Sequence, residues 1–464
     1  MKKIFIIAGE ASGDYLAGRL MEDLQALCDD SIEFFGIGGP CMEKAGLKKL
    51  FSINELSIMG IVEVIGKIFH VKRLIDKTVD AVFDYNPDVI ITIDSSGFTH
   101  RVDKKIKARA IRGVAPRTFS FASSTSEKAL ARVSQTLQAP IIHYVAPPVW
   151  AWRGRRAKSM HKFIDKLLVL LPFEPELFNK HGLETVFVGH PIALDPDFEK
   201  PEKHLIENFK KSLDLLEKSS DDRLLAESTI FEDFLDRRDV GSDNDKTRVP
   251  QAPTTKTPNR GRLCNIVLLP GSRMAEISKH LPILEEFADL MVEKYGHVRF
   301  LIPTTESMEK IIELGTRNWR QRPVIIKEKS EKVLAYYASD LAVAASGTVT
   351  LELARTGLPA VIIYKVSFIT YLIVKFLVKI ENACLINIIA KQNVVPELLQ
   401  NNCTPQNIFH HVVSILEDTK KADEQKRMFA KVMDMLSVKE RYVAAREVLK
   451  TLSCEVIDKY TTFT

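Results

Sequence analysis

The chain has 464 residues, 45% of them hydrophobic and 27% charged, with a formal net charge of +5. This is the balance of an ordinary globular protein. Disordered, collagen-like and coiled-coil classes are excluded, and two or three domains are expected at roughly 100–200 residues each. The charge is too mild to make nucleic acid the main partner, but it leaves room for a basic patch that meets an anionic ligand or a membrane surface.

The first apolar run, Ile4–Ala8, is too short for the core of a signal peptide and reads as a strand. Tyr15–Leu27 reads as a helix with Leu16, Leu20, Leu24 and Leu27 on one face. Ile32–Ile37, Asp88–Ile93, Ile141–Val145, Lys166–Leu170 and Thr185–Val188 read as further strands, with helices such as Ile61–Tyr85 and Arg153–Phe163 between them. The alternation restarts with Asn265–Leu269, Val298–Ile302, Val324–Ile326, Leu341–Ala344 and Ala360–Tyr364. Strand–helix alternation predicts parallel sheets covered on both faces. The expected fold is therefore α/β, with two Rossmann-like, doubly wound domains at 1–198 and 263–393. Helices only are expected over 394–464. Residues 112–138 carry no strand period and read as an insertion. Residues 199–262 start helically and become polar and Pro/Thr-rich, which reads as a linker with a disordered excursion. Ala360–Ile380 is the most membrane-like stretch, but Lys365, Lys375 and Lys379 interrupt it, so it does not read as a spanning helix. Six cysteines, at 28, 41, 264, 384, 403 and 454, show no CxxC pair and no zinc-ligand spacing; they read as reduced thiols of a cytoplasmic protein.

Ligands of doubly wound folds bind beyond the carboxyl ends of the strands, so the loops there carry the candidates. The first is Gly9-Glu10-Ala11-Ser12-Gly13-Asp14. Ser12 or Asp14 could cap the following helix, whereas capping does not account for Glu10. Asp94, in Asp94-Ser95-Ser96-Gly97-Phe98, is placed either as a general base or as a helix cap. The loop 146–156 packs Trp150, Trp152, two prolines and three arginines, including Arg153, into eleven residues. Such a rim suits a phosphorylated or glycosidic amphiphile, or else it is a packed corner. His190, in Gly189-His190-Pro191, either faces the cleft or closes a turn. In the second half, Pro270-Gly271-Ser272-Arg273 offers close backbone approach and a guanidinium fork, with Glu276 three residues on. Ser346-Gly347-Thr348 opens a helix as a diphosphate cradle, and Glu352, one turn along, is placed for ribose hydroxyls. No Walker A, GxGxxG or nucleophile-elbow pattern is present. Asp195/Asp197 and Asp243/Asp245 are poorly placed for a metal–diphosphate site, so neither a metal nor a cofactor is expected.

These motifs, taken in order, resemble the lipid-A-disaccharide synthases. The likeness is carried by AGEASGD at 8–14, GIGGPCM at 36–42, MGIVEV at 59–64, IDSSGF at 93–98 and HYVAPPVWAWR at 143–153. It continues through LPFE at 171–174, VGHP at 188–191, LLPGSRMAEI at 268–277, SGTVTLE at 346–352 and the stretch around Asn387. The resemblance implies a glycosyltransferase B architecture with the active site between two Rossmann-like domains. It implies transfer of 2,3-diacylglucosamine from UDP to the 6-hydroxyl of 2,3-diacylglucosamine 1-phosphate. The product is the β-1,6-linked lipid A disaccharide precursor of Gram-negative bacteria, formed by inversion with release of UDP. On this reading Arg273, Ser346, Gly347, Thr348, Glu352 and Asn387 hold UDP, and Asp94, with Glu10 second, takes the acceptor proton. Ser12, Asp14, Trp150, Trp152, Arg153 and His190 line the acceptor side. The enzyme would act in the cytoplasm, peripherally on the inner membrane, and a homodimer is left open. The family turn after Asp94 runs Pro-Asp-Phe, where this chain has Ser96-Gly97-Phe98 and so one carboxylate fewer. Another UDP-sugar transferase or epimerase, or an inactive binding relative, is the alternative.

Overall fold

Strands that are apolar on both faces can be stable only inside a sheet covered on both sides. In the first strand, β1 (Lys2–Ala8), the side chains of Ile4, Ile6 and Ala8 enter one core and those of Phe5 and Ile7 enter the opposite one. The computed structural model describes residues 1–57, 64–111, 137–150, 154–216, 264–366, 382–440 and 442–454. Among them, 1–194 and 434–454 gather into one unit, and 195–366 and 382–433 into another.

The first unit holds a parallel sheet of seven strands in the order β3-β2-β1-β4-β5-β6-β7. These are β1, β2 (Ile32–Gly38), β3 (Lys48–Ser52), β4 (Val89–Ile93), β5 (Ile141–Tyr144), β6 (Lys166–Val169) and β7 (Glu184–Phe187). The second unit holds six parallel strands in the order β10-β9-β8-β11-β12-β13. These are β8 (Cys264–Leu269), β9 (Val298–Pro303), β10 (Val324–Ile326), β11 (Leu341–Ala345), β12 (Ala360–Tyr364) and β13 (Glu397–Leu399). In each sheet the winding reverses beside the first strand, between β1 and β4 and between β8 and β11. There the loops diverge to opposite faces and leave a crevice at the carboxyl edge. Two Rossmann-like sheets are thus present, as the strand–helix alternation predicts.

The C-terminal region departs from the helices-only expectation. Glu397–Leu399 is a strand paired in parallel with Ile362–Tyr364, and three residues are too few to show a strand period in sequence. The Thr419–Leu436 helix is tied to the second sheet by Gln425, whose Oε1 accepts from the Ala360 amide at 2.9 Å. The Val443–Thr451 helix belongs to the first unit, where Ala445, Val448, Leu449 and Leu452 share a core with Leu20, Leu24 and Leu27. Burying side chains of the Val and Leu kind is worth roughly 1.5–3 kcal/mol each. That exceeds anything expected of the accompanying Lys166–Glu447 ion pair at 2.9 Å. Apolar packing therefore holds this helix in place.

The stretch from residue 199, expected to start helically, does so. Residues 203–216 are helical and belong to the second unit, with Phe209 and Leu213 buried. Asp214 accepts from Arg299 at 2.8 Å, which partners a cation that is itself only 4% exposed. The expected insertion at 112–136 and the polar stretch at 217–263 lie outside the described residues.

Asp14 is the clearest local determinant. Its carboxylate is buried and accepts from the amides of Gly39 (2.7 Å), Cys41 (3.0 Å) and Met42 (3.2 Å). It thereby caps the Pro40–Lys44 helix from the Ala11–Leu27 helix. It is a clamp between two segments. Asp14→Ala is expected to cost about 2–4 kcal/mol, since it leaves three amides without their acceptor. Denaturant unfolding checks this; a loss below about 0.5 kcal/mol would remove the clamp.

Candidate active site

At the crevice of the first sheet, the loops after β1 and β4 touch. A Cβ on Gly9 would sit 2.4 Å from Ser95 Oγ, so glycine is what lets the two loops meet. Ser12 Oγ lies 3.4 Å from Asp94 Oδ2, and exposed Glu10 stands at the N-cap of the Ala11–Leu27 helix on the same edge. Asp94 and Ser95 both have positive φ, 49° and 44°, a strained conformation that non-glycine residues seldom adopt. The turn is held by Asp94 N donating to Tyr144 O (2.9 Å), Ser95 N to Asp94 Oδ1 (2.7 Å) and Thr99 Oγ1 to Asp94 O (2.8 Å). The Asp94 carboxylate is partly exposed, with Oδ2 toward Ser12. A Cβ on Gly97 would meet nothing within 4 Å, so the family carboxylate missing at this position would have had space.

Behind the turn lies a buried polar chain. Thr92 Oγ1 is 3.2 Å from Asp103 Oδ2 and 2.7 Å from His143 Nδ1, and His143 Nε2 is 3.3 Å from His100 Nε2. Burial, the main cause in each case, pushes His100 down to about 4, His143 well down and Asp103 well up. Both imidazoles are therefore neutral near pH 7.

Of the aromatic loop, Trp150 is described, whereas Trp152 and Arg153 lie outside the described residues. Trp150 Nε1 donates to Glu174 Oε1 at 3.3 Å, and its ring meets Phe173 edge-on at 5.9 Å. Trp150 is thus anchored to the Leu171–Glu174 segment, as a packed corner would be. Burial raises Glu174 to about 7, partly offset by these donors and the Leu171 amide. His190 closes a turn: its Nδ1 accepts from Ile192 N at 3.2 Å, and burial lowers it to about 4. Its Nε2–H tautomer follows, because Nδ1 is the acceptor.

The second unit carries a cavity of about 710 Å³ at the carboxyl edge of β8 to β11. It brings together Arg273, Ser346, Gly347, Thr348 and Glu352, the residues expected there. Two helices, Met274–Tyr295 and Val349–Thr356, begin at its wall. Gly271 (φ 123°) turns the chain where a Cβ would meet Glu276, whose Oε2 accepts from Ser272 N at 3.2 Å. Glu276 Oε1 lies 3.3 Å from an Arg273 guanidinium nitrogen, and the arginine remains 78% exposed at the cavity mouth. Glu352 is held on Oε2 by Lys332 (2.7 Å) and Tyr336 (3.0 Å), which fixes its position in the wall.

Two of the expected residues have their side chains engaged within the fold. Asn387 is buried and its amide is saturated. Nδ2 donates to Val395 O (2.8 Å) and Glu397 Oε1 (2.6 Å), while Oδ1 accepts from Val394 N (2.9 Å) and Val395 N (3.0 Å). It lines a separate cavity of about 510 Å³ and shapes the 392–397 turn. Ser346 stands in the wall, but its hydroxyl donates to Ala383 O (2.8 Å) and its amide to Ile363 O (3.2 Å). Both of these donors are thus engaged within the fold.

Sequence reading missed Thr304, Thr305, Lys327, Lys329 and Lys332 in the cavity wall. The signal was present, since Thr304 follows β9 and Lys327 follows β10, the same strand-end rule that found Arg273. Lys329 pairs with Asp197 at 2.5 Å, and Lys327 pairs with Glu309 and Glu313.

The comparisons agree with this geometry. The family model described as lipid-A-disaccharide synthetase matches residues 4–137, 127–226 and 244–450. The lipid-A-disaccharide synthase of Ruegeria pomeroyi is 35% identical over 437 residues, spanning 92% of this chain and 90% of its own. That of Rickettsia typhi is 34% identical over 438 residues, spanning 94% of each chain. Among solved structures, the UDP-GlcNAc 2-epimerase of Neisseria meningitidis bound to UDP-GlcNAc matches with a TM-score of 0.50 and 12% identity, covering 97% of this chain and 99% of its own. The glycotransferase of kitacinnamycin matches with a TM-score of 0.51 and 10% identity, covering 97% and 99%. At such identities these two speak to the fold alone.

Arg273→Ala is expected to weaken UDP binding about tenfold or more, the weight of a charge-assisted phosphate contact. Unchanged affinity by calorimetry would take Arg273 out of the phosphate site. With a family model spanning most of its length and relatives above 30% identity, the chain belongs to the lipid-A-disaccharide synthase family and is a glycosyltransferase.

Proposed function

We propose that the protein transfers 2,3-diacylglucosamine from its UDP conjugate to the 6-hydroxyl of 2,3-diacylglucosamine 1-phosphate. The donor cavity of the second unit carries this reading most directly. Arg273 and two helix N-termini converge there on a space that suits a nucleoside diphosphate. In the proposed reaction the acceptor oxygen attacks the anomeric carbon from the face opposite UDP. The new C–O bond forms as the bond to the diphosphate breaks, which inverts the centre to β. The hydroxyl proton passes to Asp94, and the electron pair leaves with UDP. Arg273 and the helix-end amides stabilise the charge that develops on the diphosphate, and they do so without reorganising at the moment of reaction. Glu352, already fixed by Lys332 and Tyr336, is placed for the ribose hydroxyls. Asp94 is favoured as the base because its turn is pinned by three hydrogen bonds.

The test is UDP release from defined acylated substrates. Release that requires the acylated acceptor supports transfer; release without it points to hydrolysis of the donor, and no release with a changed sugar points to epimerisation. Asp94→Asn is expected to lower turnover about 10²–10⁴-fold while UDP affinity stays within twofold, the signature of a lost base. Near-normal turnover in Asp94→Asn would pass the role to Glu10.

Peripheral contact with anionic membrane is part of the proposal, because both substrates carry acyl chains. No described helix is long and apolar enough to cross a membrane. The Val64–Tyr85 helix exposes Phe69 (70%) near Lys72 and Arg73, while its later turns bury Leu74, Ile75, Val79 and Val82 in the core. A second stretch with apolar residues beside basic ones, Phe368–Ile380 with Lys375 and Lys379, lies outside the described residues. Sedimentation with anionic vesicles is expected at low salt and to weaken at high salt, each basic residue near the surface contributing about 1 kcal/mol. Failure to sediment with any vesicle would sink the membrane claim.

A further inference from the structure

His280 sits on the Met274–Tyr295 helix, directly beneath the loop that leads from β8 into the donor cavity, and is fully buried. Both ring nitrogens are engaged. Nδ1 lies 2.6 Å from Pro270 O, and Nε2 lies 3.0 Å from the amide nitrogen of Lys365, the residue after β12. A backbone amide can only donate, so Nε2 carries the lone pair. Nδ1 must then carry the proton and donate it to the Pro270 carbonyl. One tautomer of a neutral imidazole satisfies both contacts; the other tautomer and the imidazolium each set a proton against the Lys365 N–H.

We propose that His280 is a positioning residue for donor binding, a one-tautomer bridge that sets the Pro270–Arg273 loop against the end of β12. The inference rests on the reading of that loop as the diphosphate site. Glu276 holds the loop from its far side through Ser272 N and the Arg273 guanidinium. His280 holds its near side through Pro270. Between these two anchors lies Gly271, the hinge of the loop at φ 123°. The Pro270 carbonyl shares a rigid peptide plane with the Gly271 N–H, so the His280 bond fixes how that amide is aimed. Burial, the leading cause, keeps the imidazole pKa below its ordinary value; Lys365 and Lys279 act the same way, while the Pro270 bond and Glu276 oppose them. The relevant form is thus the neutral one at the pH of the cytoplasm. His280 touches none of the reacting groups, and its effect is carried through the backbone of the loop.

The experiment uses the full-length chain and three substitutions. His280→Leu removes both bonds, His280→Asn offers an amide near the Nδ1 position, and His280→Gln offers one near Nε2. Binding of UDP alone is measured by calorimetry, with thermal unfolding and steady-state kinetics alongside. His280→Leu is expected to weaken UDP about ten- to thirtyfold, the effect of losing two buried hydrogen bonds. KM for the donor is expected to rise in parallel while kcat stays within about threefold. His280→Asn and His280→Gln are expected to recover part of the affinity. A purely structural histidine would lower the melting temperature and leave UDP affinity unchanged in the folded protein, and that result overturns the proposal. Should His280→Leu not fold, wild-type UDP affinity in both amide variants overturns it equally. A wild-type chain that fails to bind UDP would instead refute the donor-site reading.

Discussion

A parallel strand with apolar side chains on both faces has to be covered on both faces, and everything in this protein that bears on chemistry depends on that. Ile4, Ile6 and Ala8 on one side of β1, and Phe5 and Ile7 on the other, force helices onto both sides of the sheet. Right-handed crossovers then require the winding to reverse beside the central strand. At that reversal two neighbouring loops part. In the first unit they carry Glu10, Ser12 and Asp94; in the second they carry Arg273 and Gly347. The core thus decides where a site can form before any catalytic residue is considered.

The two crevices meet different demands. The first is built around a strained turn, with Asp94 and Ser95 at positive φ and a buried His–Thr–Asp chain behind it. Strain of this kind survives only where the surroundings over-determine it. Here the Tyr144 carbonyl and the Thr99 hydroxyl do so. The second crevice is built around charge. Its lysines are balanced by carboxylates: Lys332 by Glu352, Lys329 by Asp197, and Lys327 by Glu309 and Glu313. Arg273, at 78% exposure, is loosely paired and is the cation best placed to exchange its carboxylate for a phosphate.

Three residues whose bonds the sequence did not reveal share one feature. Asp14 looked like a ligand contact or a cap of its own helix, yet it caps a different helix, 25 residues away in the chain at Gly39. Asn387 looked like a nucleotide ligand, yet the 394–397 turn consumes both its donors and its acceptor. Ser346 stands where expected but spends its hydroxyl on Ala383. In each case the residue type and the loop were legible, and the partner was not. A polar side chain has a fixed number of hydrogen bonds to give, and which groups claim them depends on segments far along the chain.

The sequence by itself determined the parallel α/β class, the two sheets, most strand positions and the loops that hold Asp94 and Arg273. These follow from apolar runs, their spacing and the small residues that end them, all of which act locally. Tertiary structure alone decided that Glu397–Leu399 completes the second sheet, that the Val443–Thr451 helix returns to the first unit, and that His280 bridges Pro270 and Lys365. A three-residue strand has no period to read, and an amphipathic helix does not say which apolar surface it will cover. A buried imidazole reveals its tautomer only when both of its neighbours are known.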